Sequence, residues 1–276
     1  MVSDPIDPGR PAGDTGPGPV QQPAPVRPGA GVRPAGPAAS ARTAVVWEVL
    51  SAVLAEAGGR SLSVVDAGGG TGGFAVPLAE VGHRVTVVDP SPDSLAALAR
   101  RAAERGLSDR VAGLQGDLSD LPVLVAAGSA DLVLCHSVLV VVDDPAAALQ
   151  AVAGCLRPGG RLSLLVANRD AAVLARALAG RPDEAAHALT DPAGRWGPAD
   201  GAVRRWTPDQ LLALVAGAGL VPEQVHGVRT VADLVPGAAL DLEPGAAAAL
   251  LALERTLSGR PPFRDLATQL HVLAVR

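Results

Sequence analysis

The sequence predicts an α/β fold in which a largely parallel sheet carries helices on both faces. Three observations point there. Short apolar runs alternate with helix-patterned segments from residue 41 onward. A glycine cluster follows the first of those runs and opens the next helix. The first two runs end in Asp66 and Asp89, at the strand ends where open α/β sheets bind ligands.

The elements follow in order. Ala41 to Ala57 reads as a helix with Val45, Val49, Ala52 and Val53 on one face. Leu62 to Val65 is a short strand, Phe74 to Val81 a helix, and Arg84 to Val88 a second strand. Asp93 to Arg105 is a helix, with Pro90 and Pro92 at its start and Gly106 at its C-cap. Arg110 to Gln115, Asp131 to Cys135 and Arg161 to Val166 are the third, fourth and fifth strands. Pro145 to Leu156 is a helix before the last of these. A helix at about 209–217, a strand over Leu220 to Val228, a helix at about 245–257 and a strand over Gln269 to Val275 complete the chain. No internal repeat is evident.

Residues 1–39 stand apart. They hold ten Pro and seven Gly without apolar periodicity, and such a segment cannot offset its ordering entropy by burial. They are expected to be a disordered tail, with residues 40–276 forming the domain. Asp4 and Asp7 occupy the place of a basic region and no apolar core follows, which argues against a secretory signal.

Composition narrows the function classes. The chain has 276 residues and a formal net charge of −5, and all of its 23 basic residues are Arg. A sequence-blind nucleic-acid binder is normally basic, so bulk duplex binding is disfavoured while a local arginine patch stays open. Cys135 and Cys155 make neither a disulfide framework nor a zinc site, which fits a reducing, cytoplasmic setting. The five His are scattered without ligand spacing, so no metal is expected. The longest nearly apolar run, Leu211 to Val221, is too short to span a bilayer.

The glycine loop is the strongest signal. Gly68, Gly70 and Gly73 satisfy G-x-G-x-x-G between a strand and a helix, a pattern that lets backbone N–H groups approach a cofactor. Asp89 lies 21 residues after Gly68, the expected place for a carboxylate that holds both ribose hydroxyls. That geometry alone would also suit NAD. Asp66 before the glycines, Gly116-Asp117 after the third strand, and the lack of any Tyr or Lys for short-chain dehydrogenase chemistry favour another cofactor.

Asp66-x-Gly-x-Gly-x-Gly, Asp89, Gly116-Asp117 and Leu156-Arg157-Pro158-Gly159-Gly160 together resemble the class I S-adenosylmethionine-dependent methyltransferases over residues 41–170. The segment Asp131 to Pro145 narrows the resemblance to the tRNA 5-carboxymethoxyuridine methyltransferases, as do Ala41 to Trp47, Gly227-Val228-Arg229, Leu251 to Arg255 and Arg264 to Val272. The resemblance implies a Rossmann-like seven-stranded sheet, mostly parallel with an antiparallel last strand. It implies S-adenosylmethionine as cofactor and the carboxylate of a modified wobble uridine in tRNA as acceptor. It places Arg42 at the methionine carboxylate, Gly68 and Gly69 in the loop contacts, Asp89 at the ribose, Leu118 and Ser119 near the adenine, and His136 at the methyl-donor end. Asp66, Gly70, Gly72 and Asp117 complete the expected cofactor set.

Two departures stand out. The family carries a lysine-rich stretch where Asp191 to Trp206 offers only Arg195, Arg204 and Arg205, and an aromatic is expected where Val140 or Val141 stands. Trp196 and Trp206, interleaved with those arginines, suit a base-stacking surface, a lid or plain packing.

A carboxylate acceptor is ionised already and needs orientation, for which Arg169, Arg204, Arg205 and Arg229 are the candidate forks. A hydroxyl acceptor would instead use a base, and His136 is the catalytic candidate. Three readings remain open: a tRNA carboxyl methyltransferase, a small-molecule O-methyltransferase, and a non-catalytic cofactor-binding module. Cys135 and His136, adjacent on a strand, point to opposite faces and cannot form a nucleophile–base pair.

Overall fold

A computed structural model describes Met1, residues 37–236 and residues 244–276, with side chains from residue 43 onward in those spans. The tail expected over residues 1–39 falls almost wholly outside the described residues, as does the side chain of Arg42.

Seven strands form one sheet in the order β3-β2-β1-β4-β5-β7-β6. They are β1 (Ser63–Ala67), β2 (Arg84–Asp89), β3 (Val111–Gln115), β4 (Ala130–His136), β5 (Leu156–Ala167), β6 (Val221–Val228) and β7 (Gln269–Val275). The first five run parallel, and β7 is antiparallel to both β5 and β6. The expected mostly parallel sheet with a reversed last strand is therefore the one observed. The strand order switches between β1 and β4, the chain proceeding from β1 to β2 on one side and to β4 on the other, and such a switch point opens a crevice over the strand ends.

Nine helices are described: α1 (Pro37–Glu56), α2 (Ala75–Glu80), α3 (Pro92–Glu104), α4 (Leu121–Leu124), α5 (Pro145–Cys155), α6 (Arg169–Leu178), α7 (Pro182–Thr190), α8 (Pro208–Gly217) and α9 (Ala246–Ser258). Their starts are chemically marked. Ser91 accepts from Ser94 N at 3.2 Å ahead of Pro92, and Asp144 accepts from Ala146 and Ala147 N at 3.0 Å ahead of Pro145. Thr207 and Gln210 form a capping box on α8. No helix among the described residues is long and apolar enough to cross a membrane.

Strand alternation sends Val65, Ala67, Val133 and Cys135 to a core beneath α4, α5 and α8. Val64, Leu132 and Leu134 go to a second core beneath α1, α2 and α3, and α9 packs on α1. Cys135 is a buried, unpaired core residue, and burial, reinforced by Asp66, pushes its thiol up to about 12.

The short helix α4 between β3 and β4 was not expected from the sequence, and three further features differ. α1 begins four residues early, at Pro37. β5 begins at Leu156 rather than Arg161, because Leu156 pairs with Ala130 before a register shift carries the chain through Pro158-Gly159-Gly160. Helices α6 and α7 fill the stretch after β5, launched by Asn168, which caps Asp170 N at 3.0 Å, and by Pro182.

Candidate active site

The glycine loop turns at the end of β1, and its tightness follows from what surrounds it. A Cβ at Gly68, where φ is +76°, would lie 2.3 Å from Val138 Cγ2; one at Gly72, where φ is +80°, would lie 2.3 Å from Leu98 Cδ1. Either position thus requires glycine for its conformation and for its space. Gly72→Val is expected to lower stability by at least about 2 kcal/mol, combining left-handed strain with overpacking. A urea titration matching the wild-type midpoint would contradict this.

Two carboxylates flank the loop. Asp89, at the end of β2, accepts from Gly70 N at 2.9 Å through Oδ2 and from Ser91 N at 2.9 Å through Oδ1. Each oxygen therefore keeps a second lone pair for a ligand hydroxyl. Asp66 is 3% exposed, and its Oδ2 has no partner. Burial, with the nearby charge of Asp89, raises its pKa to about 7.

Beyond β3, Asp117 Oδ1 accepts from Ser119 N at 2.7 Å and Ser119 Oγ at 2.6 Å. Those bonds hold its carboxyl below the usual range despite slight desolvation. Leu118 beside them is buried. A cavity of about 610 Å3 joins this turn to the glycine loop, lined by Gly68, Val88, Pro90, Asp117, Leu118 and Ser119. Its opposite wall comes from the β4–α5 loop, including Val138, Val141 and Val142. Val141, one of the two positions where an aromatic was expected, is 63% exposed at this wall.

His136 ends β4 on the α1 side of the sheet. Its ring meets Phe74 edge-on at 4.6 Å, and Phe74 stacks on Trp47 at 4.7 Å. Nε2 lies 2.8 Å from Ser163 Oγ, and Nδ1 is buried without a partner. Burial pushes its pKa down to about 3. Ser137, next in the chain, takes a left-handed φ of +60°, a strained conformation of the kind that collects at ligand sites.

The four arginines expected to orient a substrate carboxylate lie apart from the cavity, and three of them are engaged elsewhere. Arg205 clamps Asp200 through two bonds of 2.5 and 2.9 Å. Burial of Asp200 would raise its pKa, but Arg205 and the N–H groups of Trp196 and Ala202 outweigh that and bring it down to about 2. Arg229 pairs with Asp233 at 2.6 Å. Arg169 is buried and donates to Pro192 O at 2.7 Å. Arg204 is half-buried, with Nε lacking a partner. The expected interleaved patch is thus partly an internal scaffold: Arg205 braces its own loop, Trp206 is buried in the core, and the Arg176 guanidinium sits 4.1 Å over Trp196.

The motifs did not reveal the valine wall of the β4–α5 loop, nor the partners of His136. Among the described residues, no group of three or more His, Cys, Asp or Glu is arranged to hold a metal.

The glycine loop, its two flanking carboxylates and most of strands β1 to β5 fall in the part of the chain that matches a known family model. Residues 65–164 match the family model described as a methyltransferase domain. The chain is 37% identical over 142 residues to the tRNA 5-carboxymethoxyuridine methyltransferase of Escherichia coli K12, covering 51% of this chain and 54% of that protein. It is 34% identical over 170 residues to a ubiquinone biosynthesis O-methyltransferase of Caulobacter sp. K31, covering 60% and 61%. The chain thus spans about half to three-fifths of the length of these relatives. Among solved structures, an S-adenosylmethionine-dependent methyltransferase from Mesorhizobium loti superposes with a TM-score of 0.57 at 23% identity, covering 84% of this chain and 98% of that one.

Proposed function

We propose that this protein transfers a methyl group from S-adenosylmethionine to an oxygen that is already anionic, the carboxylate of a modified tRNA uridine being the first candidate. The observation that carries cofactor binding is Asp89, held by Gly70 and Ser91 between the cavity-lining residues Val88 and Pro90, with a second lone pair on each oxygen. The unpartnered Asp66 Oδ2 fits the same ligand, because a donor or cation placed there would satisfy a buried carboxylate. When bound, the cofactor supplies an electrophilic methyl on a sulfonium. The protein's task is then alignment, since in-line displacement depends on holding nucleophile, methyl and leaving sulfur in register.

The state of His136 supports an anionic acceptor. A group whose pKa is brought down to about 3 is a feeble base at neutral pH. A carboxylate, with a reference pKa of about 4, is ionised without help. With the cofactor saturating, so that the titration of Asp66 near pH 7 does not limit binding, the rate of the chemical step is therefore expected to be nearly flat from about pH 6 to 8, with His136→Gln costing less than about tenfold. A steep rise with pH that His136→Gln abolishes would instead mark a hydroxyl acceptor and a working base.

The tRNA acceptor is supported by the E. coli relative. One observation favours a small carboxylate or hydroxylated metabolite instead: Arg205 and Arg229 are spent on Asp200 and Asp233, which leaves less cationic surface for phosphates. Incubation with methyl-labelled donor and, separately, total tRNA or a small-molecule extract distinguishes the two. Label in the tRNA fraction is expected, and label confined to small molecules would transfer the assignment to the second acceptor class.

A further inference from the structure

Among the described residues, two that are not glycine take a left-handed φ: Ser137 at +60° and Arg229 at +63°. Both stand at one end of the sheet, on either side of Gln269. Gln269 opens β7 and pairs with Ala167 on β5 and with Val228 on β6, and Arg229 follows Val228. On the other side, Gln269 Nε2 donates to Ser137 Oγ at 3.2 Å. Such backbone strain persists only where the surroundings fix it.

The turn at Ser137 has a direction. Along β4, Cys135 faces the core beneath α5, and His136 faces the α1 side, where Phe74 meets it. Continued as a strand, the chain would send Ser137 back to the α5 side. Gln269 belongs to the α1 side, because His271, two residues on, stands in line with Leu165 and His136 across the sheet. The left-handed φ thus carries the Ser137 hydroxyl over the end of β5 to Gln269, while Ser137 N stays anchored on Leu165 O at 2.8 Å.

A hydroxyl that accepts one bond keeps its own proton, and a primary amide that donates one keeps a second N–H. Neither of these protons is given to another described residue. Ser137 is exposed and Gln269 half-buried, so a ligand can reach both. The pair adjoins the cofactor cavity, because Val138, next in the chain, lines that cavity and crowds Gly68. Arg169, Arg205 and Arg229 are engaged with Pro192, Asp200 and Asp233, which leaves the holding of an acceptor to other donors.

We infer that Ser137 and Gln269 bind the methyl acceptor. The Ser137 O–H and the free Gln269 N–H donate to one oxygen of a carboxylate and leave its other oxygen uncommitted. This rests on the methyltransferase reading and deepens it by naming the residues that would select a carboxylate.

The test is nitrogen-15 NMR of the full chain with labelled glutamine side chains, saturated with S-adenosylhomocysteine. Methoxyacetate is the carboxylate probe, and methoxyacetamide is its uncharged counterpart. The Gln269 amide pair is identified by its absence from the spectrum of Gln269→Glu. Methoxyacetate is expected to shift that pair to a plateau, and methoxyacetamide at the same concentration to leave it in place. Ser137→Ala should weaken methoxyacetate binding about tenfold, the size of one hydrogen bond to a charged group. Ser137→Gly, which suits the left-handed backbone, should weaken it as much and decides the matter if Ser137→Ala does not fold. A merely structural Ser137 would leave binding intact in Ser137→Gly. No shift with methoxyacetate, an equal shift with methoxyacetamide, or undiminished binding in Ser137→Gly would each overturn the proposal. Because binding is read without turnover, such a failure leaves the methyltransferase reading standing. Failure of S-adenosylhomocysteine to bind in calorimetry defeats that reading, and the proposal with it.

Discussion

Asp89→Ala is expected to weaken S-adenosylmethionine binding by at least a hundredfold in calorimetry. In the proposed role the carboxylate takes two hydroxyl donors on a ribose, and charge-assisted hydrogen bonds contribute roughly 1.5–3 kcal/mol each. Losing both corresponds to about two to four decades of affinity. The carboxylate also secures Gly70 N and Ser91 N, so removing it loosens the glycine loop itself. Asp89→Asn separates these contributions: it keeps an acceptor oxygen and the shape but loses the charge, and should fall between the two. Wild-type affinity in Asp89→Ala would sink the cofactor assignment, and tight NADH binding by the unaltered protein would redirect it to a dinucleotide.

The largest effect on stability is expected at Glu254, far from the glycine loop. This residue of α9 is fully buried, and its carboxylate accepts from Thr230 N at 3.0 Å, Val231 N at 2.7 Å and Ala232 N at 2.6 Å. It thereby fastens the turn after β6 to α9, in the segment where Arg229 adopts a left-handed φ of +63°. Glu254→Ala would strand three backbone donors away from water, each costing about 1–3 kcal/mol. A loss of roughly 3–5 kcal/mol in urea unfolding is expected, with Glu254→Gln losing about half as much. A change below about 1 kcal/mol in Glu254→Ala would show that water or a rearranged turn replaces the carboxylate.

What could be read beforehand follows from how local each signal is. β1 and the glycine loop are legible because a buried strand and its turn occupy consecutive residues, and Asp89 because it closes the next strand at a fixed spacing from them. The paired arrangement of β4 and β5 was legible as order, but not the early start of β5, which depends on Ala130 meeting Leu156 across a bulge. Helices α6 and α7 left little trace, because only the small Ala185 and Ala188 are buried among their apolar residues; Leu174, Leu178 and Leu189 are all exposed. Arg205 looked like a free fork from its neighbours Arg204 and Trp206, yet Asp200, five residues earlier, closes on it. The contacts of Glu254 and of Ser163 with His271 join residues 22–24 and 108 positions apart, and no periodicity encodes such pairs.

The chain has no Tyr and three Trp, so its near-ultraviolet optical signal comes chiefly from three indoles in different surroundings. Trp206 is enclosed in the core and Trp196 lies under a guanidinium, both away from the glycine loop. Trp47 is the exception, stacked on Phe74 where α2 leaves that loop and one ring removed from His136. The protein therefore carries a built-in chromophore beside the segment that leaves the glycine loop, and emission from Trp47 can report a change in that ring stack without any attached dye.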